Sequence, residues 1–246
     1  MVSEAPPQAF AVVVLISAGT EWQVVRSLFP AAGPSVTPLG EWFAITLPSA
    51  HAVVPVVFMH GGWGKIAAAA SAQYAIDRWQ PDLLVNLGTC GGFAGLVEPG
   101  EVILAKRTVV YDILEQMGDP DEALAHFATD IDLTWLGGED PVPVRRTPLV
   151  SADRDLVVEE IEHLADRFGA VAGDWESGAI AWVAARHGIP CLVLRGVTDL
   201  VGEEGGEAYA GNISHWHLAT DQVMRSLVEQ LPLWLDRWHM QRANHP

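Results

Sequence analysis

The sequence predicts an α/β fold: a single domain of three layers, in which helices cover both faces of a central mixed sheet. Short, continuous apolar runs such as residues 11–17 and 83–87 are typical of strands buried on both faces. These runs alternate with stretches whose apolar residues recur at helical spacing, which favours a sheet covered by helices. A length of 246 residues suits one such domain, which we expect to span residues 1–246.

The charge of the chain limits its partners. Asp and Glu total 31 against 14 Lys and Arg, which gives a net charge of −17 at pH 7. Such a surface repels phosphate backbones and anionic lipid, so we expect no nucleic-acid partner and no membrane partner. No apolar stretch reaches the roughly 20 residues that span a bilayer.

The two cysteines indicate a reducing compartment. Cys90 and Cys191 each lie within an apolar or glycine-rich run, which fits buried thiols rather than a disulfide framework. The first ten residues lack the basic region of a signal peptide. We therefore expect a cytoplasmic protein whose residues 1–9 are flexible.

The first predicted strand, residues 11–17, leads into a helix. Apolar residues recur at helical spacing from Trp22 until Pro30 ends the pattern. Glu21 therefore lies where a strand ends and a helix begins. Its carboxylate either serves a site at the edge of the sheet or merely complements the positive end of the helix dipole, and the sequence alone leaves both open.

A glycine-rich turn, residues 61–65, opens the next helix. Strands predicted over 42–47 and 53–60 form a hairpin before it, and Pro55 indicates an edge or irregular position. A glycine turn at a helix start can cradle an anion or a ribose, or it can simply allow close packing of strand and helix. It is not a phosphate-binding P-loop, because Ile66 replaces the required Ser or Thr.

A second glycine-rich stretch, residues 88–92, follows the predicted strand 83–87. Its three glycines indicate that the backbone passes close to another group. Another strand is predicted over 100–111, with Asp112 at its end. Residues 113–147 are acidic and weakly patterned, and we expect a flap or a partner-facing excursion there.

A third stretch places two carboxylates around a predicted helix and strand. Asp174 and Glu176 flank Trp175 just before a helix predicted over 177–187. The buried strand that follows ends at Asp199. Ligands in open α/β sheets bind outside such strand ends, so Asp199 is a site candidate, although it could also only cap the next turn.

The end of the chain gives no signal for a metal or a cofactor. A loop over 202–211 and a long helix over 213–238 are predicted. Asp and Glu ligands are present, but no pair of histidines lies beside the candidate carboxylates at helix-face spacing, and the close pair His215 and His217 is typical of surface residues on the terminal helix. Cys90 has no evident histidine partner, and no nucleophile-elbow motif occurs. We therefore expect neither a metal, nor a cofactor, nor a nucleophilic triad.

Glu21, Glu176 and Asp199 are predicted to converge at one edge of the sheet. Three carboxylates suit general acid–base chemistry on a neutral substrate with hydrogen-bonding groups. They do not suit a substrate that carries a phosphate, because like charges repel. Acid–base catalysis on a neutral small molecule is therefore the expected chemistry.

Five motifs together cover most of the chain apart from residues 113–147. They are Thr20-Glu21, Gly62-Trp63-Gly64-Lys65, Asn86–Phe93, Asp174–Ala179 and Val197–Leu200. In their order and approximate spacing they resemble the nucleoside phosphorylase/nucleosidase superfamily, and most of all the 5'-methylthioadenosine/S-adenosylhomocysteine nucleosidases. The resemblance implies a nucleoside phosphorylase-like fold and hydrolysis of the N-glycosidic bond of a purine nucleoside.

The resemblance also implies a role for individual residues. Glu21 would orient and deprotonate the attacking water, and Asp199 would protonate the base at N7. Glu176 would bind the ribose hydroxyls, while Thr89 and Gly91 of the glycine-rich loop would line the substrate site. For Asp199 to act as an acid, burial would have to raise the pKa of its carboxyl.

Two positions depart from the family pattern. Trp175 stands where the family usually has a methionine beneath the ribose, and Asp155 stands where an aromatic residue stacks on the base. We expect both to contact the substrate. A larger ring at 175 should narrow the pocket, and an aspartate cannot stack, so the base or the 5' group is expected to differ.

The resemblance favours water over phosphate as the nucleophile. Phosphorylases of the superfamily carry arginines around the phosphate, one of them near the start of the glycine-rich loop, where this sequence has Asn86. A phosphate-dependent phosphorylase and a nucleoside-binding protein without turnover are the alternatives. The family also implies a homodimer, with apolar surface from residues 113–147 at the interface.

Overall fold

A computed structural model describes residues 11–50, 53–202, 205–206 and 213–244. The predicted flexible segment, 1–9, and most of the predicted loop 202–211 lie outside these residues. The strands are β1 Val12–Ile16, β2 Ser35–Thr37, β3 Gly40–Pro48, β4 Val53–His60, β5 Leu83–Phe93, β6 Val102–Val110, β7 Ala128–Asp130, β8 Arg145–Ser151, β9 Ala172–Asp174, β10 Cys191–Gly202 and β11 Gly205–Gly206. The helices are α1 Gly19–Leu28, α2 Gly64–Trp79, α3 Pro120–His126, α4 Val158–Phe168, α5 Ser177–Arg186 and α6 Ile213–Asn244, with a 3₁₀ turn at Thr134–Leu136.

A mixed sheet forms the centre of the molecule, as predicted. β1 pairs in parallel with β4 on one side and with β5 on the other, and β5 pairs in parallel with β10. Every residue of β1 is buried, which is why the sequence shows an uninterrupted apolar run there. The C-terminal ends of these four strands therefore meet at one edge of the sheet.

Half of the sheet closes on itself, which the sequence did not indicate. β10 pairs with β6, β6 with β8, β8 with β9, and β9 returns to β5. β9 has only three residues, too few for a periodic pattern. β9 runs antiparallel to β5, with Gly173 paired with Gly91, and Ser151 at the end of β8 pairs with Asp174.

The helices pack as two groups. α2 packs against α5, and α1 packs against α6, which also contacts β5 and β10. α6 runs beyond the predicted end at 238 to Asn244, because no glycine or proline interrupts the polar residues after Trp238. No helix of the described residues is long and apolar enough to cross a membrane.

Pro55 lies in an interior strand. An edge or irregular position was expected for Pro55, and β4 is not at an edge, since it has β3 on one side and β1 on the other. Pairing of β4 with β1 begins only at Val56, however, while Pro55 is paired with Thr46 of β3 alone. Proline is tolerated there because no strand on the β1 side of β4 needs a hydrogen bond from the N–H that proline lacks.

The segment 113–147 is more regular than its composition suggested. It contains α3 and β7, and β7 extends the sheet by pairing with β6. The buried side chains of Leu124, Ile131, Leu133 and Leu136 belong to its middle part. Residues 120–136 therefore contain regular structure, while the flap or partner-facing role expected for 113–147 stays a prediction. Residues 113–119 contain no helix or strand, and their place in an interface stays a prediction.

Candidate active site

A cavity of about 680 Å³ opens at the edge where β1, β5 and β10 end. All seven residues predicted for the site line it: Glu21, Thr89, Gly91, Asp155, Trp175, Glu176 and Asp199. They come from five separate parts of the chain, from the start of α1 to the end of β10. The topology therefore assembles the site from strand ends and the loops next to them.

Glu21 is buried and its carboxylate is fixed by two chain segments. Oε1 accepts hydrogen bonds from the backbone N–H of Thr89 at 2.6 Å and from its hydroxyl at 2.9 Å. Oε2 accepts from the N–H of Ala18 at 3.2 Å. The helix-start role considered for Glu21 is thus present, and the same carboxylate also faces the cavity.

A bulge in β10 sets the direction of Asp199. The register of β10 against β5 shifts between Val197 and Asp199, so that Asp199 pairs with Gly91. The hydroxyl of Thr198 donates to Oδ1 of Asp199 at 2.8 Å. Bulges of this kind re-aim side chains beside active sites, and here Asp199 lies on the cavity wall with 9% of its surface exposed.

Arg195 is the principal site residue that the sequence did not identify. Its guanidinium is 1% exposed, with Nε 2.9 Å from Asp174 Oδ2 and Nη1 3.7 Å from Glu176 Oε2. Nη2 donates to Asn86 Oδ1 at 2.7 Å. A fully buried arginine requires such partners, because an unpaired buried charge is very costly. The signal for it was an arginine inside an apolar strand.

Asp174 anchors this arginine rather than a substrate. It accepts hydrogen bonds from the hydroxyls of Ser151 at 2.5 Å and Ser177 at 2.8 Å. Its other oxygen faces Arg195. Asp174 therefore links β8, α5 and β10 beneath the cavity.

Glu176 is buried between Arg195 and the start of α2. Its Oε1 accepts the backbone N–H of Gly64 at 3.2 Å. Burial raises the pKa of Glu176 to about 8, Asp174 and Glu21 act in the same direction, and Arg195 opposes them. A neutral carboxyl at this point can donate as well as accept a hydrogen bond near pH 7.

Asn86 does not decide between water and phosphate as the nucleophile, although the sequence suggested that it would. It is fully buried, donates to the carbonyl of Leu15 at 3.1 Å and accepts from Arg195, and it does not line the cavity. Its identity therefore says nothing direct about phosphate. The groups that face the cavity decide whether phosphate can bind.

Gly88 allows the close approach that its glycine-rich stretch predicted. A Cβ at this position would overlap Nη1 of Arg195 and would lie 3.0 Å from Oε1 of Glu21. No larger residue fits without displacing one of these groups.

Two indoles line the cavity beside Glu176. The rings of Trp63 and Trp175 are stacked, with centroids 4.8 Å apart and planes at 26°. Trp63 is 67% exposed although it is a large aromatic residue. Trp216 of α6 also lines the cavity. Trp63 and Trp216 were not predicted as site residues, although Trp63 belongs to the glycine-rich turn 61–65.

Leu156, not Asp155, supplies the apolar contact at the loop after β8. A Cβ at Gly91 would lie 3.2 Å from Leu156 Cδ1, and one at Gly173 would lie 3.0 Å from Cδ2. Asp155 lines the same cavity but is exposed. Leu156 therefore lines the cavity beside Asp155, whose contact with a substrate stays a prediction.

Cys90 also lines the cavity, and burial raises the pKa of its thiol well above the usual range. It therefore stays a neutral thiol and not a nucleophile. Within the described part of the chain, no group of three His, Cys, Asp or Glu side chains could hold a metal ion. The side chain of His215 lies outside the described residues.

The model of the family described as the phosphorylase superfamily matches residues 11–229. The chain belongs to this superfamily. The resemblance that the five motifs indicated is thereby confirmed, as is the mixed α/β fold that it implied.

Curated relatives carry the name 5'-methylthioadenosine/S-adenosylhomocysteine nucleosidase. The one from Maridesulfovibrio salexigens is 28% identical over 167 residues, which cover 63% of this chain and 72% of the relative. The one from Bacillus pumilus is 25% identical over 187 residues, or 71% and 81% of the two chains.

Solved structures share the fold. The nucleosidase of Neisseria meningitidis, in complex with methylthio-immucillin-A, has a TM-score of 0.72 at 18% identity, with 91% of this chain and 97% of that one covered. A futalosine hydrolase mutant of Helicobacter pylori has a TM-score of 0.73 at 15% identity, with 92% and 98% covered.

Proposed function

We propose that this protein is a hydrolase that cleaves the N-glycosidic bond of a purine nucleoside, one similar to 5'-methylthioadenosine or S-adenosylhomocysteine. The observation that carries the proposal is that Glu21 and Asp199 line one cavity, together with Glu176 and Thr89. Such a cavity offers a carboxyl on each side of a bound nucleoside. Curated relatives with the matching name support the substrate class.

Asp199 is the proposed general acid. It donates a proton to N7 of the purine, and the electron pair of the glycosidic bond then moves into the base. A protonated purine is a good leaving group, and the positive charge left on C1' and the ring oxygen of the sugar is stabilised by the surrounding carboxylates. The Thr198 hydroxyl, which donates to Oδ1, holds Asp199 in place.

Glu21 is the proposed general base. It takes a proton from a water molecule whose oxygen attacks C1', so that the products are the free purine and the sugar. Two donors from Thr89 and one from Ala18 fix its carboxylate, so little reorientation is needed during the reaction. Exchange with solvent then restores the starting protonation of Glu21 and Asp199.

Glu176 is the proposed partner of the ribose hydroxyls. Its carboxyl lies among Arg195, Gly64 and the cavity, and Trp175 is its chain neighbour. The stacked indoles of Trp63 and Trp175 form an apolar surface next to it. That surface suits an apolar substituent on the sugar, since aromatic faces bind thioethers and alkyl groups well.

Water is the favoured nucleophile because the cavity is acidic. Two arginines line it among the described residues, and both have carboxylate partners. Arg195 is bound by Asp174 and Glu176, and Arg154 contacts Glu160 at 2.6 Å. A phosphate ion would meet the carboxylate of Glu21, and no arginine that lines the cavity among the described residues lacks a carboxyl partner.

We also propose a homodimer. Leu114 is 85% exposed and Met117 is fully exposed, and both lie in the part of 113–147 that contains no helix or strand. Two large, exposed apolar side chains so close together favour an interface with a second copy of the chain that covers them. Light scattering after gel filtration should give twice the chain mass, and a monodisperse monomer would contradict the proposal.

The cytoplasmic location stays a prediction that rests on the free, buried Cys90 and Cys191.

The test of the function is release of free base from a panel of nucleosides, with and without phosphate. The panel contains methylthioadenosine, S-adenosylhomocysteine, 5'-deoxyadenosine, adenosine, inosine, uridine and futalosine, the last because of the hydrolase from Helicobacter pylori. Purine release without phosphate is the expected result. Release only with phosphate would indicate a phosphorylase. Tight binding without any release would indicate a binding protein.

A further inference from the structure

Lys65, the last residue of the Gly62–Lys65 turn, lies between two aspartates from other parts of the chain. Its ammonium forms an ion pair with Asp112 Oδ1 and lies 3.9 Å from Asp153 Oδ2. Its backbone N–H also donates to Asp153 Oδ1 at 2.7 Å. The side chain of Lys65 is 21% exposed, and that of Asp112 is 17% exposed. This cluster is adjacent to the cavity but is not part of the proposed chemistry.

The two aspartates are also joined to each other. Asp112 Oδ2 accepts the backbone N–H of Asp153 at 3.1 Å. The cluster therefore joins three segments: the first turn of α2, the end of β6 and the loop after β8. One ammonium group lies at the point where all three meet.

Two of these segments carry parts of the cavity wall. Gly64, next to Lys65, donates to Glu176, and Trp63 precedes it. Asp153 precedes Arg154, Asp155 and Leu156, which line the cavity. A shift of either segment would move groups that face a bound nucleoside.

The charge balance makes the ammonium hard to replace. The chain has a net charge of −17 and two lysines, Lys65 and Lys106. Without Lys65, the carboxylates of Asp112 and Asp153 would face each other unpaired, and their repulsion would push the two segments apart. Asp153 also approaches α2 closely, since a Cβ at Gly64 would lie 3.1 Å from its Oδ1.

We propose that Lys65 is a positioning residue that holds the two cavity-wall segments together through Asp112 and Asp153. It acts on substrate binding, through Gly64 and Glu176 on one side and the loop of Leu156 on the other. The inference rests on the proposed function, because it takes the ligand of the cavity to be a nucleoside. The cluster contacts neither Glu21 nor Asp199, so the effect should fall on KM more than on kcat.

The test compares Lys65→Met with Lys106→Met, which removes the same charge from an exposed position of β6. With the best nucleoside of the panel, Lys65→Met should raise KM roughly tenfold, a loss in the range expected for misplaced binding groups. Its kcat and Tm should stay near those of Lys106→Met. A merely structural role would lower Tm and the active fraction and leave KM unchanged. Lys65→Arg should recover most of the lost affinity.

If Lys65→Met does not fold, Asp112→Asn provides a second test of the positioning role. It removes the ion pair but still offers an oxygen to the N–H of Asp153. It should also raise KM. The KM of the double variant should be no higher than that of the single variant with the higher KM. Unchanged KM in both single variants would overturn the inference.

A wild-type protein that releases no base would instead count against the proposed function. The positioning role would then be read from nucleoside affinity by calorimetry, with Lys65→Met against Lys106→Met. Weaker binding by Lys65→Met alone would support it. Equal affinity, or no binding even by the wild type, would overturn it.

Discussion

Thr89 gives both of its hydrogen-bond donors to one oxygen of Glu21, with the backbone nitrogen at 2.6 Å and the hydroxyl at 2.9 Å. Thr89 lies in β5 and Glu21 in α1, so this contact joins the glycine-rich stretch to the end of the first strand. It fixes the carboxylate before any substrate binds. A fixed base is worth more in catalysis than a mobile one, because no reorganisation precedes proton transfer.

Removal of the Thr89 hydroxyl tests this relationship. Thr89→Val keeps the shape and the N–H donor, so we expect the fold to survive and kcat to fall roughly ten- to hundredfold, the value of a hydrogen bond to a charged group. Thr108→Val is the matched control. Thr108 is fully buried in β6, and its hydroxyl has no hydrogen-bond partner among the described residues. Equal turnover by the two variants would contradict the role of Thr89.

A methyl group at Gly88 should damage both stability and activity. It would overlap Arg195 and crowd Glu21, so we expect Gly88→Ala to lower the free energy of unfolding by about 1–3 kcal/mol, as overpacking does. Base release should fall with it, because Glu21 must move. Gly33→Ala, with nothing within 4 Å of the new methyl group, should behave as the wild type. Urea unfolding and turnover measure both effects, and a fully active Gly88→Ala would argue against the close packing.

The raised pKa of Glu176 predicts how stability depends on pH. Its pKa is about 8 in the folded protein against the ordinary 4.5, so the folded state holds this proton more tightly than the unfolded chain does. The stability that Glu176 contributes is therefore complete below pH 4.5 and is lost as pH rises through 8, at about 1.4 kcal/mol per pKa unit. Tm should fall more steeply between pH 5 and 8.5 for the wild type than for Glu176→Gln.

Glu122→Gln is the control for that comparison, since it makes the same Glu-to-Gln change at an exposed position on α3. Its Tm curve should run parallel to that of the wild type. A Glu176→Gln curve that also runs parallel would mean that Glu176 is ionised across the whole range.

The size of Trp175 should limit the substituent on the sugar. Trp175→Met replaces a rigid indole, stacked on Trp63, by a flexible chain, so the cavity should accept bulkier groups. We expect kcat/KM for S-adenosylhomocysteine to rise relative to that for methylthioadenosine. Trp182→Met is the control, because Trp182 lies on α5 outside the cavity. An unchanged ratio in Trp175→Met would remove Trp175 as a determinant of size.

The predicted residues that line the cavity have a local signal in the sequence. Glu21 and Asp199 follow apolar runs, and the glycines around Thr89 mark a close approach of backbone. What was missed depends on contacts between distant segments. The burial of Arg195 is explained only by its ion pair with Asp174. The placement of Leu156 against Gly91 depends on the path of the loop after β8.

The fold divides in the same way. Continuous apolar strands such as β1 and helices such as α2 were predicted because each has its own local pattern of apolar residues. The closure of the sheet through β9 was not, because three residues carry no period and their pairing with β5 is set by neighbours far along the chain. The bulge in β10 that directs Asp199 is likewise a property of pairing with β5, not of the strand itself.

The most direct test of the central claim is purine release in phosphate-free buffer by the wild type, Glu21→Gln and Asp199→Asn. Asp166→Asn, an exposed position on α4, serves as the control. We expect release by the wild type and the control, and a loss of about a hundredfold or more in the other two, which should still bind nucleoside. Near-normal release by either variant, or wild-type release only after phosphate is added, would contradict the account.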